Sequence, residues 1–533
     1  GRAVDTRASD TGDTPLMVAA AAGRIACCDA LLAAGANALV VNADGRGVLA
    51  VVGAKVSKGA RAKARAATRA ALLKREPSLR VLVLHHGDCD KHVSTKPHQE
   101  SPERIAAVLE SQARAAATGA LPEDETVSCS AFDSATYDQL IRAHSEEYIG
   151  IVTTLDEEIN PVGTPVAFTP YYQGLKGKKQ KKKELSDTFF SPGTMAAALR
   201  AAGGVVHAVE QVLRNNARTA FVCVRPPGHH AGTDGATEGA PSSGFSILNN
   251  AMIGALHALQ GNNGRYAKRV AVVDFDVHHG NGTEEIVRGW HCARRRGRAA
   301  RCGASPDDQD VFFASIHLAD DGKGSGVEFY PGTGTQSDLH DNVVNVVVPP
   351  MWRLQENVSD AVGGRKRVPK RNRDDDLDGS GSNLVKKKEK EEIAVVAPKV
   401  AAPPLSAGGR EEWMRLLRDR ILPPLRAFRP DLLIISAGFD GANHDVGNVG
   451  VDRRGRRNGG VNLTPEDYEE MTNRLCAVTH SGGGKVVSVL EGGYGHLVTD
   501  TNENTTTLQR DNFAQCVVAH VRALAGLGAP VKD

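Results

Sequence analysis

Apolar positions along the chain fall into two regimes that meet near residue 80. Beyond it, short unbroken apolar runs stand at 81–84, 220–224, 270–273, 311–316, 343–348, 432–435 and 485–490. Runs of that length, rich in β-branched residues, suit strands buried on both faces of a parallel sheet. Ala- and Leu-rich stretches with helical spacing lie between several of them, for example 194–213 and 411–427. The alternation predicts an α/β fold of three layers, α/β/α, around a mostly parallel sheet of about eight strands. Residues 1–55 instead repeat: Gly12-Asp-Thr-Pro-Leu16 returns in degraded form as Gly45-Arg-Gly-Val-Leu49, 33 positions later. A repeat and a half cannot bury its own faces. Either a longer array continues it, or the Ala/Arg/Lys-rich stretch 55–76, predicted to be helical, caps it.

Three segments break the βα pattern. Lys176–Lys183 is a lysine run, 291–310 is rich in Arg, and 353–408 combines Arg365-Lys-Arg-Val-Pro-Lys-Arg-Asn-Arg373 with Gly379-Ser-Gly-Ser382 and Lys386-Lys-Lys388. The last has no means of building a core and is expected to be a disordered insertion. A solvated linker and a nuclear-import signal are its two readings. The organisation expected is a repeat segment over 1–55, a helical linker over 56–79, and a large unit over 80–530.

Composition narrows the class. With 533 residues, 41% hydrophobic content and a net charge of +2, the chain reads as a soluble globular protein larger than one core normally fills. Nine cysteines without a Cys-x-x-Cys pair indicate neither a zinc ribbon nor a disulfide framework, and a reducing compartment follows. No apolar run reaches membrane-spanning length and no secretory signal is present, so no membrane is expected. The chain starts without Met, which suggests a piece of a longer protein.

Candidate chemistry collects at strand ends. Val270–Gly282 runs Val-Ala-Val-Val-Asp-Phe-Asp-Val-His-His-Gly-Asn-Gly. On a strand, Asp274, Asp276 and His278 point the same way, and Asp276 and His278 suit two ligands of one metal ion. In Arg225-Pro-Pro-Gly-His-His-Ala231 two prolines and a glycine hold an adjacent pair of histidines, a pattern for acid–base work. Ser436-Ala-Gly-Phe-Asp440 ends a buried strand in a carboxylate, and Leu490-Glu-Gly-Gly-Tyr494 brings a Tyr hydroxyl inward. Ser315-Ile-His317 is followed by Phe329-Tyr-Pro-Gly-Thr-Gly334. Parallel strands deliver all their carboxyl ends to one edge, so these distant pieces can converge.

Together these motifs, with Gly244-Phe-Ser-Ile-Leu-Asn-Asn250, resemble the zinc-dependent histone deacetylase family, class II branch, over about residues 80–525. The first 55 residues resemble the ankyrin repeat in period and Thr-Pro-Leu start. The deacetylase resemblance implies an arginase/deacetylase-like sheet and metal-assisted hydrolysis of acetyl-lysine in histones or other proteins. It implies one catalytic Zn²⁺ held by Asp276, His278 and Asp440. His230 would be general base and acid. Asp274 would orient His229, and Asn281, a class II mark, would orient His230. Tyr494 would donate to the oxyanion. Phe245 and Tyr330 would wall an acyl-lysine channel, Gly244 would offer its carbonyl, and Asp187 would bind the peptide backbone. Arg104 corresponds to an Arg near the acetate exit, or is an ordinary salt-bridge partner. A structural K⁺ would sit on the carbonyls of Asp274, Asp276, His278, Ser315 and Ile316. The implied partners are an acetylated protein or peptide and, through the ankyrin segment, other proteins. The implied location is nucleus and/or cytoplasm, and no direct nucleic-acid binding is expected.

Three rival readings fit these residues less well. A dinuclear manganese ureohydrolase needs extra carboxylates where His279-Gly280 and Gly441-Ala442 stand. A polyamine deacetylase wants an acidic gate where Gly447 lies, near Arg453, Arg454, Arg456 and Arg457. An inactive partner-recruiting module is opposed by Tyr494 and the complete ligand set.

Overall fold

A computed structural model describes residues 3–53, 60–95, 97–160, 163–168, 186–260, 266–300, 310–319, 329–351, 409–451, 457–500 and 505–528. The lysine run 176–183, the insertion 353–408 and Arg453, Arg454 and Arg456 lie outside the described residues.

Eight strands form one sheet: β1 Val81–Leu84, β2 Thr126–Cys129, β3 Thr219–Val222, β4 Arg269–Asp274, β5 Asp310–Leu318, β6 Val343–Val348, β7 Leu432–Ala437 and β8 Lys485–Leu490. Their order is β2-β1-β3-β8-β7-β4-β5-β6, and every pairing is parallel. Parallel neighbours need crossovers that cover both faces, which is why the central strands read as continuous apolar runs. Val270, Ala271, Val272 and Val273 of β4 are completely buried, as are Leu432 to Ile435 of β7.

Seven of these strands coincide with the apolar runs. The eighth, β2, is Thr-Val-Ser-Cys, partly exposed and paired on one side only. The opposite edge strand, β6, is covered and keeps an apolar run, whereas the residues of β2 are partly exposed, so hydropathy did not mark it. Helices pack on the sheet, among them α-helices Glu103–Ala117, Thr194–Leu213, Asn250–Gln260, Asn281–Ala300, Pro465–Ser481 and Asp511–Leu524. The Arg-rich stretch from 291 is therefore helical as far as residue 300 and continues the helix that starts at Asn281. The stretch 411–427 is helical from Gly409 to Phe428, with a π-helical turn over Leu417–Ile421. Leu422 alone separates that turn from Pro423 and Pro424, which have no N–H to donate back into it.

The N-terminal residues form a second, smaller apolar cluster. Leu16, Met17, Leu49 and Val52 from the repeat pack with Leu72, Leu73 and Leu79. Helix Ala60–Arg75 thus supplies the face that the repeat lacks, and it caps as well as links. Its Arg69 is buried and pairs with Glu125, donating also to the Leu49 carbonyl at 2.8 Å and the Ala525 carbonyl at 2.7 Å. One guanidinium therefore ties the repeat segment to both ends of the large unit.

Candidate active site

Four of the strands that carry candidate chemistry, β3, β8, β7 and β4, are neighbours at the centre of the sheet, and β5, with Ser315 and His317, adjoins β4. Adjacency brings their carboxyl ends to one place, although the residues concerned run from 225 to 494.

β4 ends at Asp274, so Asp276 and His278 stand on the bend beyond the strand rather than on it. Their common direction comes from hydrogen bonds instead of strand alternation. The Asp274 carboxylate accepts from the Asp276 N–H at 3.0 Å, and the Asp276 carboxylate accepts from the His278 N–H at 2.9 Å. Each carboxylate fixes the turn that presents the next side chain. His278 Nδ1 then lies 3.0 Å from Asp276 Oδ1 and 3.0 Å from Asp440 Oδ2. One ligand atom from each of Asp276, His278 and Asp440 falls within 4.8 Å of the others. Asp440 is held by the Val277 N–H at 3.0 Å, and Asp276 by the Gly492 N–H at 2.8 Å. Two glycines make room: a Cβ on Gly438 would stand 2.0 Å from Asp276 Oδ2, and one on Gly492 2.3 Å from Asp440 Oδ2.

Charge at this cluster is unbalanced towards negative. Burial opposes a charged imidazole at His278, yet its hydrogen bonds to Asp276 and Asp440 outweigh burial and push its pKa up to about 10. Burial and the neighbouring Asp276 push Asp440 up to about 6. Two buried carboxylates around one imidazole bind a cation avidly, whether a proton or a metal ion. Two oxygens and a nitrogen from three side chains fit Zn²⁺ with coordination positions left open.

The paired histidines differ in their partners. His229 Nδ1 meets Asp274 Oδ2 at 2.9 Å, and His230 Nδ1 meets Asn281 Oδ1 at 2.6 Å. Burial disfavours charge on both rings. At His229 the carboxylates of Asp274 and Asp276 overcome it and raise the pKa to about 10. At His230 burial, with His229 and His278 nearby, lowers the pKa well below its ordinary value. Asn281 Nδ2 donates to Thr237 Oγ1, so its carbonyl oxygen faces His230. His230 Nδ1 must then carry the proton, and the other ring nitrogen is left as an acceptor.

Aromatic rings surround this group. His230 meets Tyr330 edge-on at 4.9 Å, Phe245 meets Tyr494 edge-on at 5.7 Å, and Phe329 stacks on His278 at 5.1 Å. The Tyr330 hydroxyl donates to the Ser242 carbonyl at 3.0 Å. Gly244 and Phe245 both take positive φ. A Cβ on Gly244 would meet the His230 ring at 2.4 Å. Asp187 accepts from Ser242 at 2.5 Å and Thr188 at 2.7 Å, beside a small cleft that Phe245 and His98 also line. Ser315 pairs directly with Asp274 across β4 and β5, and Ile316 follows it.

Arg104 is completely buried and lies 3.4 Å from the Glu100 carboxylate. It donates to the carbonyls of Gly493 at 2.7 Å and Glu491 at 2.5 Å, and its guanidinium lies 4.9 Å from the Tyr494 ring centre. It is a clamp on the loop that presents Tyr494. Gly447 packs inward, where a Cβ would lie 2.7 Å from the Asp440 Cβ and 3.0 Å from the Tyr494 ring.

Several supporting residues escaped the sequence reading. Glu491 accepts from the Gly228 and His229 N–H groups at 2.7 and 3.2 Å and fixes the histidine turn. Asp445 accepts from the Tyr494 and Gly495 N–H groups at 2.9 and 2.7 Å. Glu100 takes both arms of the buried Arg225 at 2.8 and 2.7 Å. A carboxylate directly after a buried strand was a visible signal for Glu491. Glu100 and Asp445 sit in loops with no such mark.

A histone deacetylase domain family model matches residues 98–509, and an ankyrin repeat model matches residues 11–43. Type-2 histone deacetylase 2 of Dictyostelium discoideum is 31% identical over 453 residues, covering 84% of this chain and 21% of that protein. Histone deacetylase 15 of Arabidopsis thaliana is 28% identical over 404 residues, covering 75% of this chain and 50% of that protein. The chain therefore spans half or less of the length of these relatives. A crystal structure titled as the HDA15 HD domain aligns with a TM-score of 0.53 at 24% identity, covering 85% of this chain and 91% of that one, a likeness of fold.

Proposed function

The chain belongs to the histone deacetylase family, and from that premise we propose that it is a zinc-dependent protein lysine deacetylase, releasing acetate from N6-acetyl-lysine in histones or other proteins. The observation that carries this reading is the meeting, at one sheet edge, of a three-ligand cluster, two differently partnered histidines and Tyr494.

Asp276, His278 Nδ1 and Asp440 would hold the zinc ion. When bound, it supplies Lewis acidity towards the acetyl carbonyl and lowers the pKa of water. The remaining work belongs to side chains. His230, neutral and with its unprotonated nitrogen free of Asn281, takes the proton from the attacking water and passes it to the departing lysine amine. His229, charged against Asp274, places positive potential beside the developing oxyanion. The environment drives the two histidines apart in basicity, which divides their roles. Tyr494 donates to the oxyanion, held in place by Arg104 and Asp445. Phe245 and Tyr330 enclose the methylene stem of the substrate lysine. Gly244 and Asp187 orient the amide and the peptide backbone.

The finer assignments complete the proposal. The carbonyls of Asp274, Asp276, His278, Ser315 and Ile316 hold K⁺, supported by the direct pairing of Asp274 with Ser315. The catalytic unit is 80–530, with 1–55 a partial ankyrin segment that docks protein partners and 56–79 its helical continuation. No described helix is long and apolar enough to cross a membrane, and the site of action is the nucleus and/or cytoplasm.

The test is acetate release from an acetyl-lysine peptide by the zinc-loaded chain and by Tyr494→Phe. Turnover by the first, and peptide binding with little turnover by the second, is expected. Equal turnover by both would contradict the assigned role.

A further inference from the structure

A cavity of about 460 Å³ lies far from the catalytic edge, between the repeat segment and the large unit. Its wall includes Asp44, Gly45 and Arg46 of the repeat, Arg218 just before β3, Arg426, and Arg474 of helix Pro465–Ser481. Four guanidiniums thus face a space that a single carboxylate lines. Asp44 is taken by Arg46, and Arg474 is paired with Glu470 at 2.9 Å. Among the described residues, neither Arg218 nor Arg426 has a carboxylate within ion-pair distance. The Nε atoms of Arg218 and of Arg46 are both buried without a hydrogen-bond partner.

Leaving the Arg218 guanidinium in that condition is costly, because a charge withdrawn from water needs an opposite charge and its N–H groups need acceptors, whereas Arg46 is paired with Asp44 and Arg426 stands at an exposed helix position. Burial already pushes the Arg218 pKa down, with Arg69 adding repulsion. The side chain is also held in place: Arg218 packs so closely on Gly47 that a Cβ there would meet its Nη1 at 2.3 Å. Gly45 in turn touches the last turn of helix Pro465–Ser481, with a Cβ position 2.4 Å from the Ala477 carbonyl. The repeat's turn and the large unit therefore form the two walls in close contact, and the charge between them is fixed.

We infer that this cavity is a binding site for a small anion carrying a diphosphate group, which bridges Arg46 of the repeat to Arg218 and Arg426 of the large unit. Arg218 and Arg426, neither with a carboxylate partner among the described residues, together match two negative charges. Planar guanidinium forks match phosphate oxygens in pairs. The volume falls within the range of small-molecule sites, about 300–1,000 Å³. Leu422 and Leu524 add apolar wall that could receive an organic part. The ligand would lock the repeat against the catalytic unit.

The test is titration calorimetry of the full chain with inorganic pyrophosphate and, separately, ADP, with sodium sulfate at matched ionic strength as control. Saturable binding of pyrophosphate or ADP, absent with sulfate, is expected, with affinity at least about tenfold weaker in Arg218→Gln. Arg426→Gln, at an exposed helix position, should weaken it similarly without disturbing the fold. Circular dichroism and melting curves confirm that both variants are folded. Tighter binding of ADP than of pyrophosphate would place an organic group against the apolar wall, and equal binding would make the diphosphate the whole determinant. Absence of saturable binding would overturn the inference. So would equal affinity in the wild type and both folded variants, which would put the anion on the basic runs elsewhere.

Discussion

The catalytic edge and the repeat junction carry opposite charge excesses, and they are built by opposite means. At the catalytic edge, Asp276 and Asp440 surround His278, and each carboxylate is also gripped by a backbone N–H from a neighbouring turn. At the junction, Arg218 and Arg426 come from the start of a strand and from a helix surface, and they find no carboxylate among the described residues. Fixed dipoles at rigid strand ends can hold like charges together at ligand distance. Long side chains on separate elements cannot, and they leave a wider space. The first geometry suits a bare cation and the second a larger anion.

Substitution at the two regions should separate them. Asp440→Asn should abolish acetate release and zinc retention together, an effect beyond the 10- to 100-fold, roughly, seen for outer partners. Metal content by plasma mass spectrometry checks it. Zinc retained at one equivalent per chain would break the acidic half of the comparison. Tyr494→Phe should keep the zinc and lose turnover by about 10²–10³, separating metal holding from oxyanion stabilisation. Glu491→Gln weakens the grip on the Gly228 and His229 N–H groups and should cost about tenfold to a hundredfold in kcat, with metal content unchanged. Arg218→Gln should leave kcat for an acetyl-lysine peptide as in the wild type, because the arginine cavity lies outside the reaction. A matching fall in kcat would join the two regions that the comparison keeps apart.

The smallest effect concerns pH. Burial alone would raise the Glu284 pKa, but hydrogen bonds from His279, Asn345 and Arg288 bring it down to about 2. A folded pKa below the ordinary value of 4.5 means a stabilising contribution fully present above about pH 4.5 and lost as pH falls towards 2. Melting temperature should therefore fall over that window, and less steeply in Glu284→Gln.

Much of the fold was legible because parallel strands buried on both faces cannot disguise their apolar runs. The exception, β2, is an edge strand whose faces are also partly exposed, unlike those of the other edge strand β6. The shared direction of Asp276 and His278 was read from strand alternation, whereas the structure sets it by hydrogen bonds past the strand end. Side-chain spacing therefore gave the right neighbours through a different cause. Arg104 stood open between an Arg near the acetate exit and an ordinary salt-bridge partner, because its carbonyl partners Glu491 and Gly493 lie 387 and 389 positions further along the chain. Glu100 and Asp445 were invisible because their work depends on partners as distant as Arg225 and Tyr494. The arginine cavity left no local pattern either, since its residues come from five separate stretches.

The most direct measurement is acetate release from an acetyl-lysine peptide by the purified chain after chelation and again after one equivalent of zinc is returned. The account predicts that release disappears with the metal and recovers when zinc is restored to the wild type, with no recovery in Asp276→Asn. Release that survives complete removal of metal, or recovers equally in Asp276→Asn, would contradict it.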